Sequence, residues 1–419
     1  METKTYNKMN FKKLFTFHFS LFTFLFSFLI FNSAMGQSLE DYIQLGISNN
    51  SNLKAVAYDI ALAEKHINEV GNYQNTNFYV AGFPSSTETR VGSQVFSTGI
   101  SQKMPWFGQF KAAKDLAKAK ATHKIFDKAL ATRMLSFQIS ETYYSLYEQQ
   151  AKREVLKDNK TILKTYENMA IAALSNNRAT MSDVLKIRIQ KNELHSRTFQ
   201  TINTFEALSK NFNRLLEQDV KSILNIPNKL DVSEILVQQK GIEKHPILLQ
   251  LKQEENIIDA ENSFIQKDKK PKLNLGVDYI IIDKYTSNPI DNGKDITIAK
   301  LGVAIPLFNK KYKSQLKQNN LKVKQLTYKE KAAEIALNNA LEEAKLSFEN
   351  ALVQVLAAQK NQEEVQRALN VDLKAYETGI LNYDKILKLQ LQKIRYELME
   401  ITATKNAFIA KAKIDYLIE

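Results

Sequence analysis

The sequence predicts a mainly α-helical protein with a small β part, built from one unit used twice: a helix, a β-hairpin and a long helical hairpin. Three observations predict it. Glycine and proline are absent from 109–226, and Gly379 is the only one of either between 307 and 419. Between these stretches stand two pairs of short segments with alternating apolar residues. Landmarks also recur at one offset: Pro105 and Pro306, Phe107 and Phe308, and Asp183 and Asp384 are each 201 residues apart.

The chain opens with a targeting pattern. Lys4, Lys8, Lys12 and Lys13 precede an apolar run from Leu14 to Phe31, and Ala34 and Gly36 then supply the small residues of a cleavage site. Residues 1–36 are therefore expected to be a secretory signal peptide. The apolar run is just long enough to span a bilayer as a retained anchor, but the cleavage pattern directly behind it favours removal. With no cysteine there is no disulfide framework, thiolate metal site or cysteine nucleophile.

The chain carries a formal net charge of +13. Its lysines are spread along helical stretches among Glu and Asp, as on solvated helix faces, so no nucleic-acid partner is expected.

The first unit starts with a helix, "NLKAVAYDIALAEKHINEV" at 52–70, echoed by "ILLQLKQEENIIDAENSFI" at 247–265. The strand signals follow. Segment 272–283 sets Leu273, Leu275, Val277, Tyr279 and Ile281 against Asn274, Gly276 and Asp278, and 296–306 sets Leu301, Val303 and Ile305 against Lys300, Gly302 and Ala304. Segments 77–83 and 92–103 alternate more weakly, with Phe96, Thr98 and Ile100 on one side. Strands of roughly ten residues, apolar on one side and small or polar on the other, are the transmembrane β-barrel pattern. A lone hairpin would be marginal and would leave its edges open.

Each hairpin ends in a Pro-aromatic corner, "KMPWFGQ" and "AIPLFNK". Proline cannot donate to a ladder, and its fixed φ suits the start of a helix. Pro105, Trp106, Phe107, Pro306 and Phe308 thus mark the boundary between barrel and helices, where amphipathic aromatics anchor to lipid or fill the junction.

Continuous helices from Trp106 to Asn177 and from Leu307 to Thr378 would each run roughly 108 Å. In the second, Ala333, Leu337, Ala340, Ala344, Ser347, Ala351, Val355, Ala358, Val365 and Leu369 recur at threes and fours, beside a row through Leu341, Phe348 and Leu352. Two seams imply neighbours on both sides, as in a wall of helices. The division that follows is a first repeat at 37–217 (hairpin about 77–103, helical hairpin about 106–217), a linker at 218–243, and a second repeat at 244–419 (hairpin about 272–306, helical hairpin about 307–418).

This duplicated order, with its P-[LW]-F corners and the "SDV" and "YDK" turns, resembles the TolC family of bacterial outer-membrane efflux channels over nearly the whole mature chain. "SQKMPWFGQ" is similar to the heavy-metal efflux members of the CusC/CzcC type. The resemblance implies a homotrimer in which each protomer lends four strands to one twelve-stranded barrel, while the helices form a periplasmic α-helical barrel and 218–243 is its equatorial region. It also implies a non-enzymatic exit duct in the outer membrane, in contact with lipid. A periplasmic adaptor and an inner-membrane RND-type or ABC pump would serve it. A type I protein-secretion or drug-export duct remains open within this class, and a structural periplasmic coiled-coil scaffold outside it.

No cofactor or metal site is expected: His18, His66, His123, His195 and His245 are scattered, with none at the i, i+4 spacing of a helical zinc pair. The candidates for function are the turns at 175–184 and 376–385. The resemblance carries a gate role to Asp384, whose three copies round one axis would repel, raise one another's pKa and attract a cation. The family's second acidic ring falls on Leu387. Asp183 matches Asp384 by repeat, with helix capping as its alternative role. Arg178 stands where Gly379 stands in the second turn, placed to pair with a tip carboxylate of a neighbouring protomer.

Overall fold

The computed structural model describes residues 38–418 except 238–239, 288–289, 309 and 378–382. The expected signal peptide and Gly379 lie outside the described residues. In chain order the elements are α1 (Leu39–Asn49), α2 (Ser51–Glu69), β1 (Asn77–Thr89), β2 (Gly92–Met104), α3 (Gln109–Ser175), α4 (Met181–Leu215), a 3-10 turn (Val232–Glu234), α5 (Pro246–Asp268), β3 (Lys272–Asp283), β4 (Ile296–Ala304), α6 (Lys310–Glu377) and α7 (Tyr383–Ile418).

Local chemistry accounts for where the helices begin. The Asn50 side chain accepts from the Leu53 N–H at 2.9 Å and separates α2 from α1. Pro246 opens α5 behind His245, whose Nδ1 accepts from the Ile247 N–H. Helices α3 and α6 run 67 and 68 residues because nothing inside them breaks the ladder.

The four strands form one antiparallel sheet in the order β1-β2-β3-β4. Strand β1 runs past residue 83, the expected end of the alternating segment, to Thr89, and the chain turns through Arg90 and Val91 into Gly92, whose φ of +143° favours glycine. The central pairing joins β2 to β3 from Ser93↔Asp283 to Met104↔Leu273, so the two hairpins are one sheet. Among the described residues the outer edges of β1 and β4 pair with no strand of this chain.

Two compact units emerge, each drawing on both halves of the chain. The described parts of the first are 38–49, 139–230 and 357–405. Its core is set by heptad-like spacings: Leu156, Leu163, Tyr166 and Ala170 on α3, Val184, Ile187 and Leu194 on α4, Val365 and Leu369 on α6, and Tyr383, Ile386 and Ile394 on α7. A second cluster packs Tyr42 of α1 edge-on against Phe212, with ring centroids 5.2 Å apart. The other unit holds the sheet, α2, α5 and the described parts of 50–138, 231–356 and 406–418. There Leu337, Leu341 and Ala344 of α6 close on Ile414, Leu417 and Ile418 of α7. The predicted small-residue seam on α6 is buried at Leu337, Ala344, Ala351, Val355, Ala358, Val365 and Leu369.

Candidate functional site

The sheet is polarised the wrong way for a water-soluble fold. Register places Phe78, Val80, Ile100, Leu275, Val277, Leu301 and Val303 on one face, and all of them are exposed. Ser97, Gly99, Ser101, Gly276, Asp278 and Lys300 lie on the other, with Ser97 and Asp278 buried. On that face Lys300 pairs with Asp278, which also bonds Tyr79 across Gly99. Gly99 is needed there: a Cβ would sit 2.4 Å from both Asp278 Oδ1 and the Tyr79 ring. One face of the sheet is therefore apolar and exposed, while the other is mostly small or polar apart from Ile280, Ile282 and Ile298.

The corners follow directly from the strands. After Pro105 the chain closes a turn from the Gln109 N–H to the Trp106 carbonyl at 3.1 Å, and Gly108 at φ +81° feeds α3. Trp106 is half-buried and meets Phe107 edge-on at 5.9 Å. Phe107 is 80% exposed and Phe308 90%, so neither fills the core of this chain. Pro306 is half-buried beside exposed Ile305 and Leu307.

The hairpin tip lies within the first unit. Helix α3 ends by reversing through Asn177 at φ +55°, with the Arg178 N–H bonded to the Ala173 carbonyl at 2.8 Å. Thr180 and Asp183 then form a capping box at the start of α4: Asp183 Oδ2 accepts from the Thr180 N–H at 2.9 Å and from its hydroxyl at 2.7 Å. Asp183 is buried in this role.

Asp384, in the first turn of α7, is held differently. Lys186 of α4 reaches its Oδ1 at 2.9 Å and Lys388 its Oδ2 at 2.7 Å. Bonds from Lys388 and Lys186 hold this carboxyl below the usual carboxylate range. Nearby, Glu167 is clasped by Lys191 and Arg188, which hold its carboxyl low as well.

Beneath these charges sits an aromatic plug. Tyr383 meets Tyr166 at 5.8 Å and Tyr376 at 5.7 Å, both edge-on. Burial pushes the Tyr383 phenol far above its ordinary value. Burial raises Tyr376 too, with Asp183 adding to the shift and Arg178 opposing it. Arg178, Asp183 and Asp384 thus gather at one end of this unit, linked through Tyr376 and Lys186. The corner residues belong to the other unit.

Lys186 and the tyrosines escaped the sequence reading, because only the packing of α4 on α7 brings them to Asp384. Lys388 stands at i+4 from Asp384 and was readable as a helix-surface pair. Among the described residues, no group of three or more His, Asp or Glu could hold a metal ion, and no helix is long and apolar enough to cross a membrane.

No protein-family profile matches the chain, and no curated protein matches it. Solved structures do match in fold. The channel protein CusC, described in terms of folding and transmembrane channel formation, superposes with a TM-score of 0.75 at 11% identity, over 92% of this chain and 95% of that one. The outer-membrane protein VceC of Vibrio cholerae gives 0.71 at 13% identity over 90% and 95%. The open-state outer-membrane channel MtrE of Neisseria gonorrhoeae gives 0.70 at 12% identity over 90% and 88%. Over nine-tenths of its length, the chain has the fold of TolC-type outer-membrane channels.

Proposed function

We propose that the chain is a protomer of an outer-membrane exit duct in a tripartite efflux system, without catalytic activity of its own. The observation that carries this reading is the sheet: one face apolar and exposed, the other mostly small or polar, and, among the described residues, both outer edges unpaired within the chain. Such a sheet is unstable in water as a single copy and impermissible in lipid until every edge is paired. Three copies would close twelve strands into one barrel, with the helices extending into the periplasm. The exposed Phe107 and Phe308 would then ring the membrane boundary.

In this reading residues 1–36 direct export, 37–217 and 244–419 are the two repeats, and 218–243 joins them. Substrate is driven by an inner-membrane pump, of RND or ABC type, and handed over by a periplasmic adaptor at the helical tips. Arg178, Asp183 and Asp384 form the mouth, and Gly379, outside the described residues, belongs to the same turn in sequence. A periplasmic coiled-coil scaffold would have no use for an apolar sheet face.

The test is expression with the native leader, followed by membrane fractionation and planar-bilayer recording. Heat-dissociable trimers in the outer-membrane fraction, with discrete single-channel conductance after reconstitution, are expected. A monomer recovered from the soluble periplasmic fraction would refute the reading.

A further inference from the structure

The acidic gate expected from the sequence meets a surplus of positive charge in the structure. We infer that the mouth of the proposed duct is cationic and that it passes anionic solutes in preference to cations. This rests on the channel reading and assigns its selectivity.

Three tip carboxylates, Asp384, Glu167 and Asp183, are already committed. Both oxygens of Asp384 are bound by ammonium groups, Lys186 at 2.9 Å and Lys388 at 2.7 Å, so the cluster as a whole is positive. Glu167 is likewise shared by Arg188 and Lys191. Asp183 is buried in its capping box. Leu387, where a second acidic ring would stand, is buried as well. What remains toward solvent is basic: Lys388 keeps 74% of its side chain exposed. It lines a shallow groove with Lys385 and Arg395, against the single acid Asp372.

The surplus extends along both helix starts. Between Met181 and Lys191 one acidic residue stands against three basic ones, and between Tyr383 and Arg395 one stands against four. Charges on neighbouring helix turns lie within the Debye length of about 8 Å at physiological salt, so they act together. Copied three times round one axis, a surplus of one sign raises the local concentration of counter-ions and repels co-ions. Solutes bearing carboxylate, phosphate or sulfonate groups fit such a mouth, whereas free divalent cations do not.

The test is the reversal potential of reconstituted channels in asymmetric KCl, with and without millimolar MgCl2. Wild type should be more permeable to chloride than to potassium and should show no magnesium block. Lys186→Gln with Lys388→Gln should cut the chloride-to-potassium ratio several-fold, while Asp384→Asn should raise it. Because only inserted channels carry current, a misfolded variant is not scored as a result. Potassium preference in wild type, magnesium block, or an unchanged ratio in the double variant would overturn the inference. Protein that never conducts would instead overturn the channel reading beneath it.

Discussion

His245 shows how one buried side chain can tie stability to pH. It is fully buried, caps α5 and meets the Tyr416 ring edge-on at 5.7 Å. Burial, then the charges of Arg133 and Lys413, push its ring from 6.5 down to about 4. Above pH 6.5 the ring is neutral in both folded and unfolded chains. As pH falls from 6.5 toward 4, the unfolded chain gains a proton that the folded one refuses, and stability is lost, roughly 3 kcal/mol in full. Urea denaturation followed by circular dichroism should show this loss between pH 7 and 4, and His245→Asn, which offers an oxygen in place of Nδ1 as the cap, should flatten it. Gly99 is the second sensitive residue. Gly99→Val should destabilise by about 1–3 kcal/mol or more, because the added atoms meet Asp278 and Tyr79; the readout is a lower dissociation temperature of the proposed trimer. Of these two sites only the capping sequence His245-Pro246 is visible in the chain. The burial of His245 and the neighbour across Gly99 come from strands and helices distant in sequence.

At the scale of elements, α3 and α7 are fastened by a buried polar layer. Gln390 donates to Asn159 Oδ1 at 2.7 Å, and Asn159 donates to Glu397 at 3.0 Å. Asn159 and Gln390 are both buried, so neither can exchange its partner for water. Asn159→Leu should therefore cost about 1–3 kcal/mol by leaving the Gln390 amide N–H and Glu397 without their Asn159 partner, whereas adding Gln390→Leu should recover the Gln390 share of that loss. A double-mutant cycle in thermal unfolding measures the difference. The helices themselves were legible, since a chain without glycine or proline for such distances has little else to form. The strands of 272–283 and 296–304 were legible by alternation, while β1 outran its expected end because polar residues such as Ser85 and Thr87 remain compatible with an edge strand. The β2–β3 pairing was not legible, because register between distant strands leaves no local trace. Likewise Asp183 was readable as a cap from "TMSD", but the Lys186–Asp384 bridge needed the fold.

For the whole molecule the open edges of β1 and β4 make a geometric prediction. The chain lacks cysteine, so paired cysteines introduced on the two edges, for example Ala81→Cys with Ile298→Cys and neighbouring registers, report only the designed contact. If three copies close the barrel as proposed, mild oxidation in membranes should give covalent dimers and trimers and no higher species. A ladder continuing past three would point to a larger ring, and intrachain products alone would point to a sheet that closes on itself.

The central pairing of β2 with β3 also fixes an order of events in time. Met104 finds Leu273 only after α3, α4 and α5 have been made, since all of them lie between the two strands. Such non-local closure is slow compared with helix formation. Helices should thus mature first and the sheet last, and a chain stopped anywhere before β3 would leave the first hairpin with no strand of its own chain to join. For the proposed duct, insertion is then a late, whole-chain event, and truncated products should accumulate outside the membrane.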